Sequence, residues 1–228
     1  MSINPKFTRR SFLMLGLVPT ALQATPLVDI KSGLGLFSNT AGTNIYQQGA
    51  RLSFFDDPEP ELSTVEGYQV IKSGNISINK NLRLRLLNAN TNETKILQFS
   101  KGRPISFGTE NSLNEFFKDW RTSEVKPIDI ELLSNFFKIC EECAGQRNSL
   151  QVNIHSGYRS RKTNEYLRQR SYKVAKNSMH ILGKAIDFSI PSLSISHLAQ
   201  TVKNNAKGGV GIYDSFIHLD SGPKREWS

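Results

Sequence analysis

The chain has 228 residues and a formal net charge of +9 at pH 7, with 29 Lys and Arg against 20 Asp and Glu. Hydrophobic residues make up 38% of it, which is enough for one ordinary core and no more. The positive charge suits an acidic polymer. We discount nucleic acid, because no basic run is interleaved with aromatic residues and an export signal begins the chain.

Residues 1–24 have the pattern of a twin-arginine export signal. Thr8, Arg9 and Arg10 precede an apolar run over 12–24, which is too short to span a bilayer comfortably. An ordinary secretory signal is the alternative. We expect cleavage near Ala24, a periplasmic protein, and no stable membrane insertion after the signal is removed.

Residues 25–80 show no strong period. An acidic, proline-broken stretch at 56–61 is typical of a linker, and weak strands are predicted between 65 and 78. We expect a poorly ordered lead over 25–80 that precedes one domain over 81–228.

The domain opens with a predicted hairpin. Leucines and arginines alternate over 82–86, and 94–99 forms the return strand after a turn-rich stretch. A short amphipathic helix follows over 112–120. A stronger helix is predicted from an N-cap at Asp129 to a C-cap at Gly145.

That stronger helix carries the only two cysteines of the chain, Cys140 and Cys143. A structural zinc site needs four ligands, and the sequence has no second cysteine pair. Both residues lie on the apolar stripe of the helix, so we expect two small buried side chains. An oxidised pair in the periplasm is the alternative.

The second half of the chain alternates strands and helices. A β-branched strand is predicted over 150–154, a helix over 163–170 and a polar loop over 172–177. The remaining predictions are a strand from Lys184 ended by Pro191, a helix capped by Ser194 or Ser196, a glycine-rich turn over 207–211 and a strand over 216–220.

Three residues in this half are candidate metal ligands. His180 enters from the predicted loop, Asp187 lies on the polar face of one strand and His218 on the polar face of a later one. Two His and one carboxylate, with a fourth position left for water, form the ligand set of a catalytic zinc. The alternative for each residue alone is an ordinary surface or core polar group.

The motifs around these residues resemble a known family. They are Ser-x-His-x-x-Gly-x-Ala-x-Asp over 178–187, Ser-Gly-Tyr-Arg over 156–159, Gly-Gly-Val-Gly over 208–211 and His-Leu-Asp-Ser-Gly-Pro over 218–223. Together they resemble the zinc D-Ala-D-Ala metallopeptidase and hedgehog-type superfamily, and within it the murein endopeptidase K family, from Leu82 to Trp227. The resemblance implies an α+β fold, in which a small, mainly antiparallel sheet carries the zinc ligands and helices pack on it.

The resemblance also implies roles for the motif beginning at Ser156. Arg159 would hold a substrate carboxylate or stabilise the developing oxyanion, and Tyr158 and Ser178 would contact substrate. A surface salt bridge is the alternative for Arg159, and Ser178 could instead hold its loop.

The general base is where the chain departs from the family. Relatives carry a Glu three residues or a His two residues before the last ligand, positions that Ser215 and Phe216 occupy here. Asp220 is our first candidate for the base, and positioning of His218 is its equally open alternative. Asp214 and His155 are held in reserve.

The sequence therefore predicts an exported, zinc-dependent murein endopeptidase, a monomer or weak dimer, that cleaves peptide cross-links of peptidoglycan near meso-diaminopimelate. Two rivals remain. One is a D,D- or L,D-carboxypeptidase that trims stem peptides, and the other is a non-catalytic, zinc-containing domain that binds peptidoglycan.

Overall fold

The computed structural model describes residues 59–65, 67–108, 112–170 and 174–228. The predicted export signal and the predicted lead up to residue 58 lie outside these ranges. Within the described ranges, no helix combines the length and apolar character needed to cross a membrane.

Nine strands and four helices follow one another in the described part of the chain. The strands are β1 (Gly74–Ile76), β2 (Leu82–Asn88), β3 (Thr94–Phe99), β4 (Ile105–Phe107), β5 (Ser149–Ser156), β6 (Ala185–Ser189), β7 (Gly209–Ile212), β8 (Ile217–Asp220) and β9 (Arg225–Trp227). The helices are α1 (Ser112–Phe116), α2 (Ile130–Ala144), α3 (Arg161–Arg168) and α4 (Ile195–Asn205), and a 3₁₀ turn spans Met179–Leu182.

Seven strands form the main sheet, in the order β3-β2-β5-β6-β8-β7-β9. Four neighbouring pairs are antiparallel, whereas β2–β5 and β7–β9 are parallel. The fold is therefore α+β with a mainly antiparallel sheet, as predicted. β1 and β4 pair separately as a small antiparallel ribbon.

Helix α2 supplies much of the core. Asp129 caps its N-terminus by accepting the Glu131 N–H, and Gly145 follows its last turn, as the sequence predicted. Its buried face includes Phe136, whose ring meets that of Phe188 on β6 edge-on at 5.1 Å. Both cysteines on this helix are buried free thiols.

Two helices differ from their predicted bounds. α1 ends at Phe116 rather than at residue 120, because the chain turns there and the Asp119 carboxylate accepts the N–H groups of Arg121 and Ser160. α3 begins two residues earlier than predicted, since Ser160 Oγ accepts the Thr163 N–H and acts as the N-cap.

Part of the segment predicted as a lead packs on the domain. Ile76 on β1 and nearby Ile78 are both 2% exposed and belong to the same hydrophobic cluster as α2. Glu59, in the acidic stretch, is 3% exposed. These residues lack a periodic pattern because only short pieces of the segment contact the core.

Candidate metal centre

His180 is fixed by a tight turn at the start of the site. Ser178 Oγ accepts the His180 N–H at 3.3 Å and begins the 3₁₀ turn. Gly183 ends the turn with a φ of +73°, and a Cβ there would lie 2.5 Å from the Pro127 carbonyl oxygen. Only glycine meets both conditions without a shift of the backbone.

Asp187 and His218 lie side by side on neighbouring strands. β6 and β8 pair antiparallel with Asp187 opposite His218, so both side chains point to the same face of the sheet. Alternation along each strand puts Ile186 and Leu219 on the opposite face, in the core. The sheet register therefore delivers two of the three predicted ligands together.

The three predicted ligand atoms converge. His180 Nε2 lies 3.2 Å from Asp187 Oδ1 and 3.2 Å from His218 Nδ1, and His218 Nδ1 lies 2.8 Å from Asp187 Oδ1. All three residues are buried, with His180 and His218 at 0% exposure.

The hydrogen bonds on the outer side of each imidazole set its tautomer. His180 Nδ1 lies 2.7 Å from the Gly157 carbonyl oxygen, which can only accept, so Nδ1 carries the proton. His218 Nε2 lies 3.1 Å from Asp220 Oδ2 and donates to that carboxylate. The lone pairs of His180 Nε2, His218 Nδ1 and Asp187 Oδ1 consequently face one another.

Three mutually facing lone pairs need a positive charge among them. One proton can satisfy one edge of the triangle, whereas a cation bound to all three atoms satisfies every edge. A tetrahedral ion with zinc-like bonds separates its ligand atoms by about 3.3 Å, close to the observed edges. Size, donor chemistry and outer-sphere hydrogen bonds all fit a divalent metal at His180, Asp187 and His218.

The ionisation of these groups reflects the same demand for positive charge. Burial alone would raise the pKa of Asp187, but the adjacent His180 and His218 hold it well below its usual value. Burial would lower the pKa of His218, but hydrogen bonds to Asp187 and Asp220 raise it well above its usual value. In the absence of a metal, a proton on His218 meets part of this demand.

A second acidic cluster lies on the other side of His218. The ligand atoms of Glu59, His218 and Asp220 are close enough to share an ion. However, Arg225 Nη2 lies 3.1 Å from Glu59 Oε1 and 2.9 Å from Asp220 Oδ2. The guanidinium of Arg225 already supplies the cation, so the geometry does not call for a metal there.

Asp220 is held by four donor groups. Its Oδ1 accepts the N–H groups of Gly209 at 2.9 Å and Gly222 at 2.7 Å, and its Oδ2 faces His218 and Arg225. Burial would raise the pKa of Asp220, but the hydrogen bond from His218 and the charges of His218 and Arg225 lower it to about 2. These contacts favour positioning of His218, the alternative to a general base that the sequence left open.

The Ser-Gly-Tyr-Arg motif contacts two of the three predicted ligands. The Arg159 N–H donates to the His180 carbonyl at 3.1 Å, and its guanidinium Nη2 lies 3.9 Å from Asp187 Oδ2. Tyr158 is half-buried beside Lys126. Ser178 is fully buried and donates to Glu59 Oε2 at 2.5 Å, contacts that favour holding the loop over binding substrate.

A cleft adjoins the metal centre, with an empty volume of ≈ 360 Å³. Its lining residues are Asn90, Arg121, His155, Ser156, Arg159, Leu167, Asp187 and Phe216. Of the reserve candidates for the base, His155 therefore shares a cleft with a predicted ligand. Asp214 and Ser215 are exposed.

Three residues of the site were not predicted from the sequence, namely Glu59, Arg121 and Arg225. Glu59 lies 119 positions before Ser178, and no spacing rule links them. Arg121 follows a predicted helix and looks like a surface charge. Arg225 stands five positions after Asp220 on a separate strand, so only the fold reveals their pairing.

Comparisons with known proteins identify the family of this chain. The family model described as peptidoglycan L,D-endopeptidase MepK matches residues 77–227. The chain belongs to this family. The MepK protein of Escherichia coli K12 is 38% identical over 146 residues, which cover 63% of this chain and 79% of that relative. A probable MepK of Haemophilus influenzae is likewise 38% identical over 146 residues, covering 63% of this chain and 77% of its own length.

No solved structure matches the chain. The stretch matched by the MepK family model contains all three predicted ligands, the Ser-Gly-Tyr-Arg motif and the cleft residues. It begins at residue 77, so Glu59 lies outside it.

Proposed function

We propose that this chain is an exported, zinc-dependent endopeptidase that cleaves peptide cross-links of peptidoglycan near meso-diaminopimelate. The observation that carries the proposal is the triangle of three facing lone pairs, with edges of 2.8 to 3.2 Å, at the side of a basic cleft. Membership of the MepK family supplies the substrate class.

His180, Asp187 and His218 would hold the zinc, which when bound supplies Lewis-acid activation of a water molecule and of the scissile carbonyl. The Gly157 carbonyl and Asp220 keep both imidazoles oriented with a lone pair toward the ion. Backbone groups fix the orientation of His180, since the Gly157 carbonyl accepts from its ring and the Arg159 N–H donates to its carbonyl.

Side chains of the cleft would transfer the proton and stabilise the negative charge that develops on the substrate. His155 lies in the cleft, and burial lowers its pKa, so its ring is neutral near pH 7 and able to take a proton from the attacking water. We therefore assign the general base to His155 rather than to Asp220. Arg159 would stabilise negative charge on the carbonyl oxygen, because a buried guanidinium beside the metal ligands acts where water is excluded.

The proposed setting is the periplasm, reached through the twin-arginine signal over residues 1–24. Removal of the signal takes away Lys6, Arg9 and Arg10, so the formal net charge falls from +9 to +6. This positive charge favours adsorption to a wall polymer whose stem peptides carry carboxylates. We propose a monomer or weak dimer that meets its substrate within the wall.

The test is digestion of purified sacculi with the protein from residue 25 onward, before and after treatment with a chelator, and again after zinc is returned. The proposal predicts that cross-linked muropeptide dimers become monomers, that the chelator stops this, and that zinc restores it. The masses of the products identify the bond.

Two other results would contradict the proposal. Release of a terminal amino acid from uncross-linked muropeptides would favour the carboxypeptidase. Sedimentation with sacculi without any change in the muropeptides would favour the binding domain. His180→Ala, which removes a ligand, is the control for contaminating hydrolases.

A further inference from the structure

The cleft beside the metal centre carries more positive charge than its own carboxylates can balance. Among the described residues, it is lined by two guanidinium groups, Arg121 and Arg159, and by a single carboxylate, Asp187. Asp187 is also a metal ligand in the proposed function. Once a divalent metal is bound, this carboxylate is engaged by the metal, and the described lining of the cleft is left positive.

Arg121 makes no ion pair with any carboxylate in the described part of the chain. Its guanidinium lies over the Trp120 ring, 4.1 Å from the ring centroid. The nearby Asp119 carboxylate is occupied by backbone groups, since Oδ1 accepts the Arg121 N–H at 3.0 Å and Oδ2 accepts the Ser160 N–H at 2.9 Å. The half-buried charge of Arg121 is therefore left for a ligand.

The same Asp119 carboxylate fixes Arg121 and the Ser-Gly-Tyr-Arg motif relative to each other. One of its oxygens holds the backbone of Arg121, and the other holds the backbone of the residue after Arg159. Holding two like charges at one cleft is unfavourable. Burial and the charge of Arg159 both lower the pKa of Arg121, although the guanidinium stays protonated. An anionic ligand would relieve this repulsion.

We infer that Arg121 forms a carboxylate subsite that recognises the carboxylate next to the scissile amide, and that it is a specificity-determining residue beside Arg159, which acts on the carbonyl oxygen of the same amide. The inference rests on the proposed function. In a cross-link through meso-diaminopimelate, the carbon that bears the amide nitrogen also bears a carboxylate. A planar guanidinium matches that group with two parallel hydrogen bonds.

The test compares two cross-linked muropeptide dimers that differ in one group. One carries the free carboxylate beside the scissile amide, and the other carries a carboxamide there. The zinc-loaded wild type should cleave the carboxylate dimer with a kcat/KM at least tenfold higher than the carboxamide dimer. The reason is that the carboxamide cannot accept the charge-assisted hydrogen bond that the carboxylate accepts.

Arg121→Gln should lose at least tenfold in kcat/KM on the carboxylate form and little on the carboxamide form, so that the preference disappears. The loss should fall mainly on KM, because the carboxylate is present both before and during reaction. Arg121→Lys, which keeps the charge, should retain part of the preference. Zinc content should match the wild type in both variants, which separates loss of the subsite from loss of the fold.

Arg170→Gln is the matched control. Arg170 also stacks on an aromatic ring, 3.6 Å from the Tyr166 centroid, but it is exposed and does not line the cleft. This variant should keep the wild-type preference.

Equal cleavage of the two dimers by the wild type would overturn the subsite while leaving the proposed function in place. An equal loss on both dimers in Arg121→Gln would also overturn it. Failure of the zinc-loaded wild type on both dimers would overturn the proposed function, and the subsite with it.

Discussion

Each ring nitrogen of His218 lies beside a buried carboxylate cluster. The two clusters differ in what balances their negative charge. On the Nδ1 side, Asp187 and His180 present lone pairs with edges of 2.8 to 3.2 Å. On the Nε2 side, Asp220 and Glu59 face the guanidinium of Arg225. In the described part of the chain, no cationic side chain reaches the three facing atoms of the first side, since Arg159 approaches only the outer oxygen Asp187 Oδ2, at 3.9 Å. The second side has Arg225 between its two carboxylates.

The comparison shows that proximity of acidic and imidazole groups does not by itself define a metal site. Both clusters bring three ligand atoms together. They differ in whether the chain supplies donors to those atoms. Counting the donors on each atom separates a site that needs a metal from a buried ion pair that holds a ligand such as His218 in place.

The largest effect is expected from removing the charge on the Nδ1 side. Asp187→Asn keeps the shape of the side chain, but it replaces a lone pair with an amide whose N–H groups would face the ligands. We expect loss of bound zinc and at least about a 1,000-fold loss of activity, because the metal and its ligands act as one unit. Metal analysis and sacculus digestion measure both. Wild-type zinc content in this variant would contradict the ligand assignment.

Removal of the Arg225 guanidinium tests the cluster on the Nε2 side of His218. Arg225→Met removes the guanidinium that contacts the buried carboxylates of both Glu59 and Asp220. Breaking such a buried ion pair costs about 3–5 kcal/mol. We expect a fall in Tm of about 10 °C for a domain of this size. Thermal unfolding of Arg225→Met beside Arg225→Lys measures it. An unchanged Tm in both variants would mean that the two carboxylates are not held by Arg225.

The general base can be separated from the positioning groups. Since Asp220 is engaged on the Nε2 side, we expect His155→Gln to keep zinc and to lose about 100-fold or more in kcat. Single-turnover cleavage of a muropeptide dimer at saturating zinc measures it. Retained kcat would return the role to another group of the cleft.

Asp220→Asn tests whether Asp220 positions His218 or acts as the general base. The variant weakens the hydrogen bond that orients His218, so zinc affinity should fall by about 10–100-fold. Activity should recover when zinc is raised to saturation, which competition with a chromophoric chelator and parallel assays would show. Activity that stays lost at full zinc occupancy would instead make Asp220 the base.

The smallest effect is expected at Glu59. Its carboxylate accepts from Ser178 Oγ and from the Met179 N–H at 3.1 Å, so it holds the turn that presents His180. Glu59→Gln keeps an acceptor but removes the charge, and we expect about a tenfold loss of zinc affinity with little loss of kcat at saturation. Glu61→Gln is the comparison, because Glu61 is exposed and accepts the N–H groups of Lys176 and Asn177, just before that turn. Equal effects of the two variants would point to the segment as a whole.

The sequence was informative where structure is periodic. Alternation along β6 and β8 was enough to put Asp187 and His218 on one face, and a cap pair was enough to bound α2 between Asp129 and Gly145. The α+β architecture followed from the family resemblance.

What the sequence could not reveal were contacts without a period. Glu59 contacts Ser178 across 119 residues, from a stretch whose composition is typical of a linker. Arg225 contacts Glu59 because β9 lies at the edge of the sheet. The role of Asp220 was also undecided, because alternation fixes the face of a side chain but not how many donors surround it.

The most direct test is a zinc titration of the wild type and of three isosteric variants, one for each carboxylate around His218: Asp187→Asn, Asp220→Asn and Glu59→Gln. We expect one zinc per chain in the wild type, none in Asp187→Asn, and one with reduced affinity in the other two. Two zinc ions per wild-type chain, or zinc that survives Asp187→Asn and is lost in Glu59→Gln, would place a metal on the Nε2 side and contradict the assignment of the single site to His180, Asp187 and His218.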